Sequence, residues 1–311
     1  MKQVNTWAMC FFVISVISLT ACGDVTFIAT IPDAENSLIT SDGRLFVSGS
    51  YNLYEITREA DGTFISHRLI EEDLYFGGLG EYNGHVYTLK SGPGLSIIFD
   101  PEPVLVISDL NAIHPQDGPQ PSAMVFKEIP LTGMVMPNGL AIDSEGHLFI
   151  ADFFGAKIYR CDIHDNDPEN VDGPYDCGLE GLALPNGLAI VDSFLYFTDG
   201  GSVKKAEIME EGVLGPAQVI FSGRIALDDL TAYQDSLVVC DSVYGTIFQL
   251  STDGNLLRET KAETFAFPSS VCIGSGPMFG TGDVIVTEKG ILYEPKSSFG
   301  NRVVLFKVDT P

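Results

Sequence analysis

The sequence predicts an all-β fold, a six-bladed β-propeller of four-stranded blades closed by an N-terminal strand, and three observations carry that prediction. Met136-Pro137-Asn138-Gly139-Leu140-Ala141-Ile142 returns as Leu184-Pro185-Asn186-Gly187-Leu188-Ala189-Ile190, a period of about 48 residues, the mark of a stacked or radial repeat. Each copy leads into an apolar, aromatic-rich run, Gly146 to Asp152 and Ser193 to Asp199. Similar short runs, separated by turn pairs such as Asp42-Gly43, Asn83-Gly84 and Asp253-Gly254, fill the chain without a sustained helical period. Residues 22–311 divide into six units near the ~40–50 residues of a four-stranded blade. A lectin-like or jelly-roll sandwich is the competing architecture, and neither explains so even a period.

Residues 1–21 read as a signal segment: Lys2 gives a weakly positive start, and Trp7 to Leu19 is apolar but short for a bilayer span. Leu19-Thr20-Ala21-Cys22-Gly23 resembles the bacterial lipobox, which implies that Cys22 becomes a lipid-modified N-terminus. An ordinary secretory signal with a chance cysteine is the alternative. The expected product is residues 22–311, anchored in the bacterial cell envelope at a periplasmic or outer-membrane face, and monomeric.

The blades follow in order. Blade one takes Glu35–Thr40, Arg44–Ser48, Tyr51–Ile56 and a strand from Phe64 to Ile70. Blade two starts at Gly77–Tyr82, turns at Asn83-Gly84 and continues with His85–Leu89; after it comes a proline-rich insert, Asn111 to Pro121, either a bulge or a loop over a site. Blades three and four carry the two Pro-Asn-Gly copies. Blade five begins at Leu227-Asp228-Asp229, and blade six uses Ser269–Ile273, Asp283–Thr287 and Arg302–Val308. The sixth blade lacks an outer strand, which Val25–Ile31 is placed to supply, removing an open edge.

Charge and cysteine content narrow the chemistry. Seventeen basic against 42 acidic side chains give a net charge of −25, a surface that repels phosphate backbones and disfavours nucleic acid as a partner. Cys161, Cys177, Cys240 and Cys272 remain after the signal and Cys22 are set aside, an even number that permits disulfides in an oxidising compartment. Cys161 and Cys177 flank an acidic excursion and are the expected pair.

Residues at the starts of the innermost strands crowd around the mouth of a propeller's channel. Glu35, Asn138, Asn186 and Asp228 hold that place in blades one, three, four and five. Two carboxylates and two amide carbonyls form an all-oxygen set suited to Ca²⁺ and too hard to select zinc. Each has a structural reading as well, since Pro-Asn-Gly is a good turn and aspartate a common cap.

Glu35-Asn36, the paired Pro-Asn-Gly-Leu-Ala motifs and Asp228-Asp229-Leu230 together resemble the senescence-marker-protein/gluconolactonase family of six-bladed propellers, related to diisopropyl fluorophosphatase and paraoxonase. The resemblance covers essentially all of residues 22–311. It implies one channel-bound calcium, held by Glu35, Asn186 and Asp228 with Asn138 contacting metal or substrate, and hydrolysis of small lactones or related esters. Asp228 and Asn138 are the expected catalytic residues.

Met136 stands where sugar-acid lactonases of the family carry an arginine, and blade two begins Phe76-Gly77-Gly78, without a mouth histidine. Met134, Met136, Phe76 and Phe153 are read as an apolar rim or as packing between blades, and His114 as a candidate lid residue. No serine-hydrolase elbow, zinc-protease helix or phosphate-binding glycine loop occurs. The rival reading is a non-catalytic propeller with a structural ion, whose face binds a protein, peptide or glycan.

Overall fold

The structure is a computed structural model that describes residues 20–21, 23–49, 51–70, 73–92, 102–114, 127–164, 167–291, 294 and 296–308. Its strands form six antiparallel four-stranded blades, five of them built from sequence neighbours alone, so that hairpin turns do most of the connecting. Blade one is Ala34–Ile39, Leu45–Gly49, Leu53–Arg58 and Phe64–Arg68 from inside out. Blade two is Tyr75–Tyr82, His85–Ser91, Val104–Asp109 and Lys127–Pro130. Blade three is Pro137–Ile142, His147–Asp152, Lys157–His164 and Asp167–Asp176; blade four is Pro185–Val191, Phe194–Asp199, Ser202–Glu207 and Gln218–Ser222.

Blade five runs Leu227–Tyr233, Ser236–Asp241, Thr246–Ser251 and Leu256–Thr260, with Thr20–Ala21 added in parallel on its outer edge. Blade six has three strands from the C-terminal part of the chain, Pro268–Ile273, Val284–Glu288 and Arg302–Val308, and its fourth is Gly23–Thr30. That strand pairs antiparallel with Arg302–Val308, from Gly23 opposite Val308 to Thr30 opposite Arg302. The ring therefore closes by zipping the two ends of the domain together, as the missing outer strand requires. Residues 1–19 and Cys22 lie outside the described residues.

The cores lie between blades. Each is a sandwich of two neighbouring sheets, for example Leu140, Leu148 and Ile150 of blade three against Tyr87, Leu89 and Leu105 of blade two. This placement decides between the two readings of the apolar residues: Phe76 and Met134 are buried in such cores and pack between blades.

It also explains why the expected Cys161–Cys177 disulfide is not formed and both are free thiols. Cys161 shares a face of its strand with Tyr159 and Ile163 and packs toward blade two, whereas Cys177 sits beside Ile158 and packs toward blade four. Alternation of side chains along the strand puts the two sulfurs on opposite sides of one sheet. Burial, opposed only in part by the nearby Arg160 charge, pushes both thiols up to about 12.

The insert of blade two leaves from the wrong end to cover the mouth. Leu110–Ala112 form a single 3₁₀ turn whose first N–H donates to the carbonyl of Gly84, in the turn that ends the inner strand. His114 is exposed there, on the face opposite to the strand starts, and so is not a lid residue; residues 115–121 lie outside the described residues.

Candidate functional site

One irregularity, repeated in every blade, builds the site. The pairing of inner and second strands shifts between Ala34 and Ser37, Phe76 and Leu79, Pro137 and Leu140, Pro185 and Leu188, Leu227 and Leu230, and Pro268 and Ser270. Such a bulge twists the strand start out of the ladder and re-aims its side chain. The residues that fill the same slot are Glu35, Gly77, Asn138, Asn186, Asp228 and Ser269. The four residues chosen from sequence thus occupy equivalent places at one end of the channel, below which the inner strands enclose a cavity of about 340 Å³.

The glycine of Pro-Asn-Gly has its own reason. A Cβ on Gly139 would run into the backbone carbonyl of Asn186, and one on Gly187 into the Cα of Asp229. Inner strands of adjacent blades approach this closely because they converge on the axis. Gly139→Ala is therefore expected to destabilise by about 1–3 kcal/mol or more, read by chemical denaturation, with an unchanged midpoint ruling out the close approach.

Loops that lead into the ring are pinned by acids at the ends of the second strands. Asp152 accepts the N–H groups of Val135 and Met136 at 2.9 and 2.7 Å, and Asp199 those of Ala183 and Leu184 at 2.8 and 2.7 Å. Asp241 accepts the Tyr244 N–H at 3.1 Å and pairs with Arg224 at 3.3 Å. Asp152 and Asp199 thus hold the backbone just before Asn138 and Asn186, whereas Asp241 holds the loop after its own strand and the side chain of Arg224.

Within the ring the side chains meet in two groups. Asn138 Nδ2 donates to Glu35 Oε1 at 3.3 Å, and Asn36 Nδ2 donates to Asn138 Oδ1 at 3.4 Å, across blade two, where Gly77 and Gly78 project nothing. Asn186 Nδ2 donates to Asp228 Oδ1 at 2.7 Å, and Ser242 Oγ donates to Asp228 Oδ2 at 3.0 Å. Among the described residues no three His, Cys, Asp or Glu side chains form a metal-type cluster, because half the ring is amide.

The two acids of the ring differ in charge balance. Glu35 Oε2 is bonded to the ammonium of Lys289, both side chains being almost wholly buried. Burial pulls Lys289 down to about 8, opposed by the nearby negative charge of Asp33, so it remains an ammonium at pH 7. Asp33 is itself fully buried, with neither carboxylate oxygen hydrogen-bonded among the described residues.

Asp228 and Asp229 are half-buried, Asp229 lining the channel cavity, and none of the described ion pairs includes either. Burial, then the Asp229 charge, pushes Asp228 well above the usual carboxylate range, to about 7; burial pushes Asp229 to about 6. Both folded-state values exceed those of the unfolded chain, so the native state binds more protons between about pH 4 and pH 7. Stability of the ion-free protein is thus present at the acid end of that window and lost as pH rises through it. A thermal midpoint in chelator that falls from pH 4.5 to pH 7.5 is the expected result for this pair, and a midpoint that climbs throughout contradicts it.

Lys289, Ser242 and Asp33 are missing from the sequence-derived set. The repeat contains the signal for two of them: Phe153, Ser242 and Lys289 each follow the acid that closes a second strand, Asp152, Asp241 and Glu288.

A six-bladed propeller with an oxygen-lined ring at one mouth is the class that fold and site define. No family model and no curated protein matches the sequence. Among solved structures the chain is similar to a luciferin-regenerating enzyme, at 14% identity and a TM-score of 0.63 over 92% of this chain and 95% of that one. It is also similar to regucalcin from Agrobacterium tumefaciens (13%, TM-score 0.61, 93% and 95%) and to a gluconolactonase from Xanthomonas campestris (14%, TM-score 0.62, 95% and 93%). At such identities the likeness establishes the shared propeller fold.

Proposed function

We propose that this protein is a hydrolase of lactones or related small esters that works with one Ca²⁺ at the channel mouth. The observation that carries the reading is Asp228, a carboxylate deep in the ring, oriented by Asn186 and Ser242 and faced by no cation among the described residues. Such a group takes a proton or a metal ion. The donor set fits a hard cation, with Asp228, Asn138 and Asn186 as holders and Glu35 available when Lys289 gives way. Support comes also from the similar structures: the regucalcin is described as a calcium-binding protein, and the Xanthomonas protein as a gluconolactonase.

A bound divalent cation supplies positive charge against a developing oxyanion and acidifies water. The residues of this chain then do the rest. Asn138 and Asn186 orient the ester group by their amides. Asp228 accepts the proton of the attacking water as the new C–O bond forms, and returns it to the leaving alkoxide as the acyl C–O bond breaks. Ser242 and Asn186 keep both Asp228 oxygens in place during that transfer.

Turnover of aliphatic lactones and aryl esters that disappears in chelator and returns with calcium is the expected result. The Lys289–Glu35 pair favours the rival, a binding propeller with a structural ion; calcium-dependent melting with no turnover across the panel would select it. The lipid anchor at Cys22 is part of the same proposal. Gly23 stands at the end of its strand away from Thr30, which leads into the mouth, so about 20 Å or more of strand separates anchor from site. The anchor then holds the propeller by its rim and leaves the mouth free, and labelling of Cys22 with radioactive palmitate tests it.

A further inference from the structure

The start of the first inner strand is stitched to blade six. The Asp33 N–H donates to Asn301 Oδ1 at 2.6 Å, Ser269 Oγ to Ala34 O at 2.8 Å and Thr287 Oγ1 to Glu35 O at 3.1 Å. Lys289 follows Thr287 by two residues, and its own N–H donates to Phe267 O at 3.0 Å. The loop that carries Asn301 packs on it, since a Cβ on Gly300 would lie 2.9 Å from the Lys289 carbonyl carbon. Residues 33–35 are therefore a fixed wall, and the lysine beside them is a flexible stem with a rotatable ammonium. Two carboxylates belong to that wall, and the ammonium bonds to one. Glu35 holds it, while both oxygens of the fully buried Asp33 lack a donor among the described residues. The charge of Asp33 still reaches the ammonium and favours its protonated form. A buried carboxylate without a donor is costly, and Asp33 is held besides in the left-handed region, at φ 51°.

We infer that Asp33 is the second seat of the Lys289 ammonium: when a divalent cation takes Glu35, the lysine keeps its proton and moves to Asp33. The inference rests on the proposed calcium site and says how that site opens. In a nearly dry place a metal ion and an ammonium on one carboxylate repel each other strongly. Lys289 is almost wholly buried, which denies its ammonium a short way to water, and an acid without a donor stands two residues from Glu35. Asp33 is thus a positioning residue. It touches neither ion nor substrate, and it sets how readily Glu35 is released.

Calcium affinity, read calorimetrically on the wild type, Asp33→Asn, Lys289→Met and the double variant, tests this. Asparagine keeps the shape and tolerates a left-handed backbone, so Asp33→Asn is expected to fold. It is expected to weaken calcium binding about tenfold or more where Lys289 is present, and less than about threefold in the Lys289→Met background. A general negative charge or a support of the fold would act alike in both backgrounds, so equal weakening overturns the relocation, as does no weakening in either. A crystal structure of the wild type with calcium reads the seat itself and serves if Lys289→Met does not fold. Nζ within about 3 Å of an Asp33 oxygen is the expected result, and an ammonium still on Glu35 or turned to solvent overturns it. A wild type that binds no calcium overturns the proposed function along with the relocation, whereas calcium bound with the lysine unmoved overturns the relocation alone.

Discussion

Asp228→Asn is expected to abolish calcium-dependent hydrolysis, lowering kcat by at least about 10²–10³-fold, and to remove the calcium-induced rise in melting temperature. The amide keeps the volume and can still bond to Ser242 and Asn186, but it neither accepts a proton nor contributes charge to an ion. The same substitution has an opposite effect on the ion-free protein. Asp228 is a desolvated carboxylate beside a second one, Asp229, and its native proton affinity is raised. Removing its charge therefore makes the ion-free fold as stable as the wild type or more so near pH 7, and weakens the fall in stability from pH 4.5 to 7.5. Loss of activity together with loss of ion-free stability would mean that Asp228 is a structural residue. Activity retained within threefold would remove it from the mechanism.

Lys289→Met carries the second large effect. The lysine shares a nearly dry pair with Glu35, and breaking such a pair by deleting one partner costs about 3–5 kcal/mol, because the remaining charge is left buried. Without its ammonium, Glu35 becomes an unpaired carboxylate in the same ring as Asp228. Calcium then faces two uncompensated acids where the wild type offers one. The variant is expected to be strongly destabilised in chelator, to bind calcium more tightly than wild type by calorimetry, and to recover most of its stability at saturating calcium. Destabilisation that calcium does not relieve would show that Lys289 supports the fold from outside the ion's reach.

Much of this protein is legible along the chain. The Pro-Asn-Gly period, turn pairs and aromatic runs place nearly every inner and second strand, since a blade is made of neighbouring hairpins and its signals are local. Even the closure by Val25–Ile31 is legible, because a three-stranded last blade leaves an edge that must be covered. The residues of the ring are legible for a related reason: they occur at one fixed offset within each repeat, and reading one blade reads the others.

What the chain did not reveal are relations between side chains brought together by the ring. Whether Phe76 and Met134 form a rim or pack between blades is undecided in one dimension, and neighbouring sheets enclose them. Cys161 and Cys177 are close in sequence and stand on opposite faces of a sheet, a consequence of register that depends on the irregular pairing near Gly173. Lys289 reaches Glu35 from 254 positions away, and no local pattern marks which buried acid receives the ammonium and which is left without a cation.

The amino-acid order by itself determined the number of blades, their strands and the offset at which oxygen-bearing side chains recur, because those follow from hairpin-scale physics. Closure of the ring alone decided charge balance, since whether a carboxylate is compensated depends on which distant groups the axis brings within contact and on how much water remains between them.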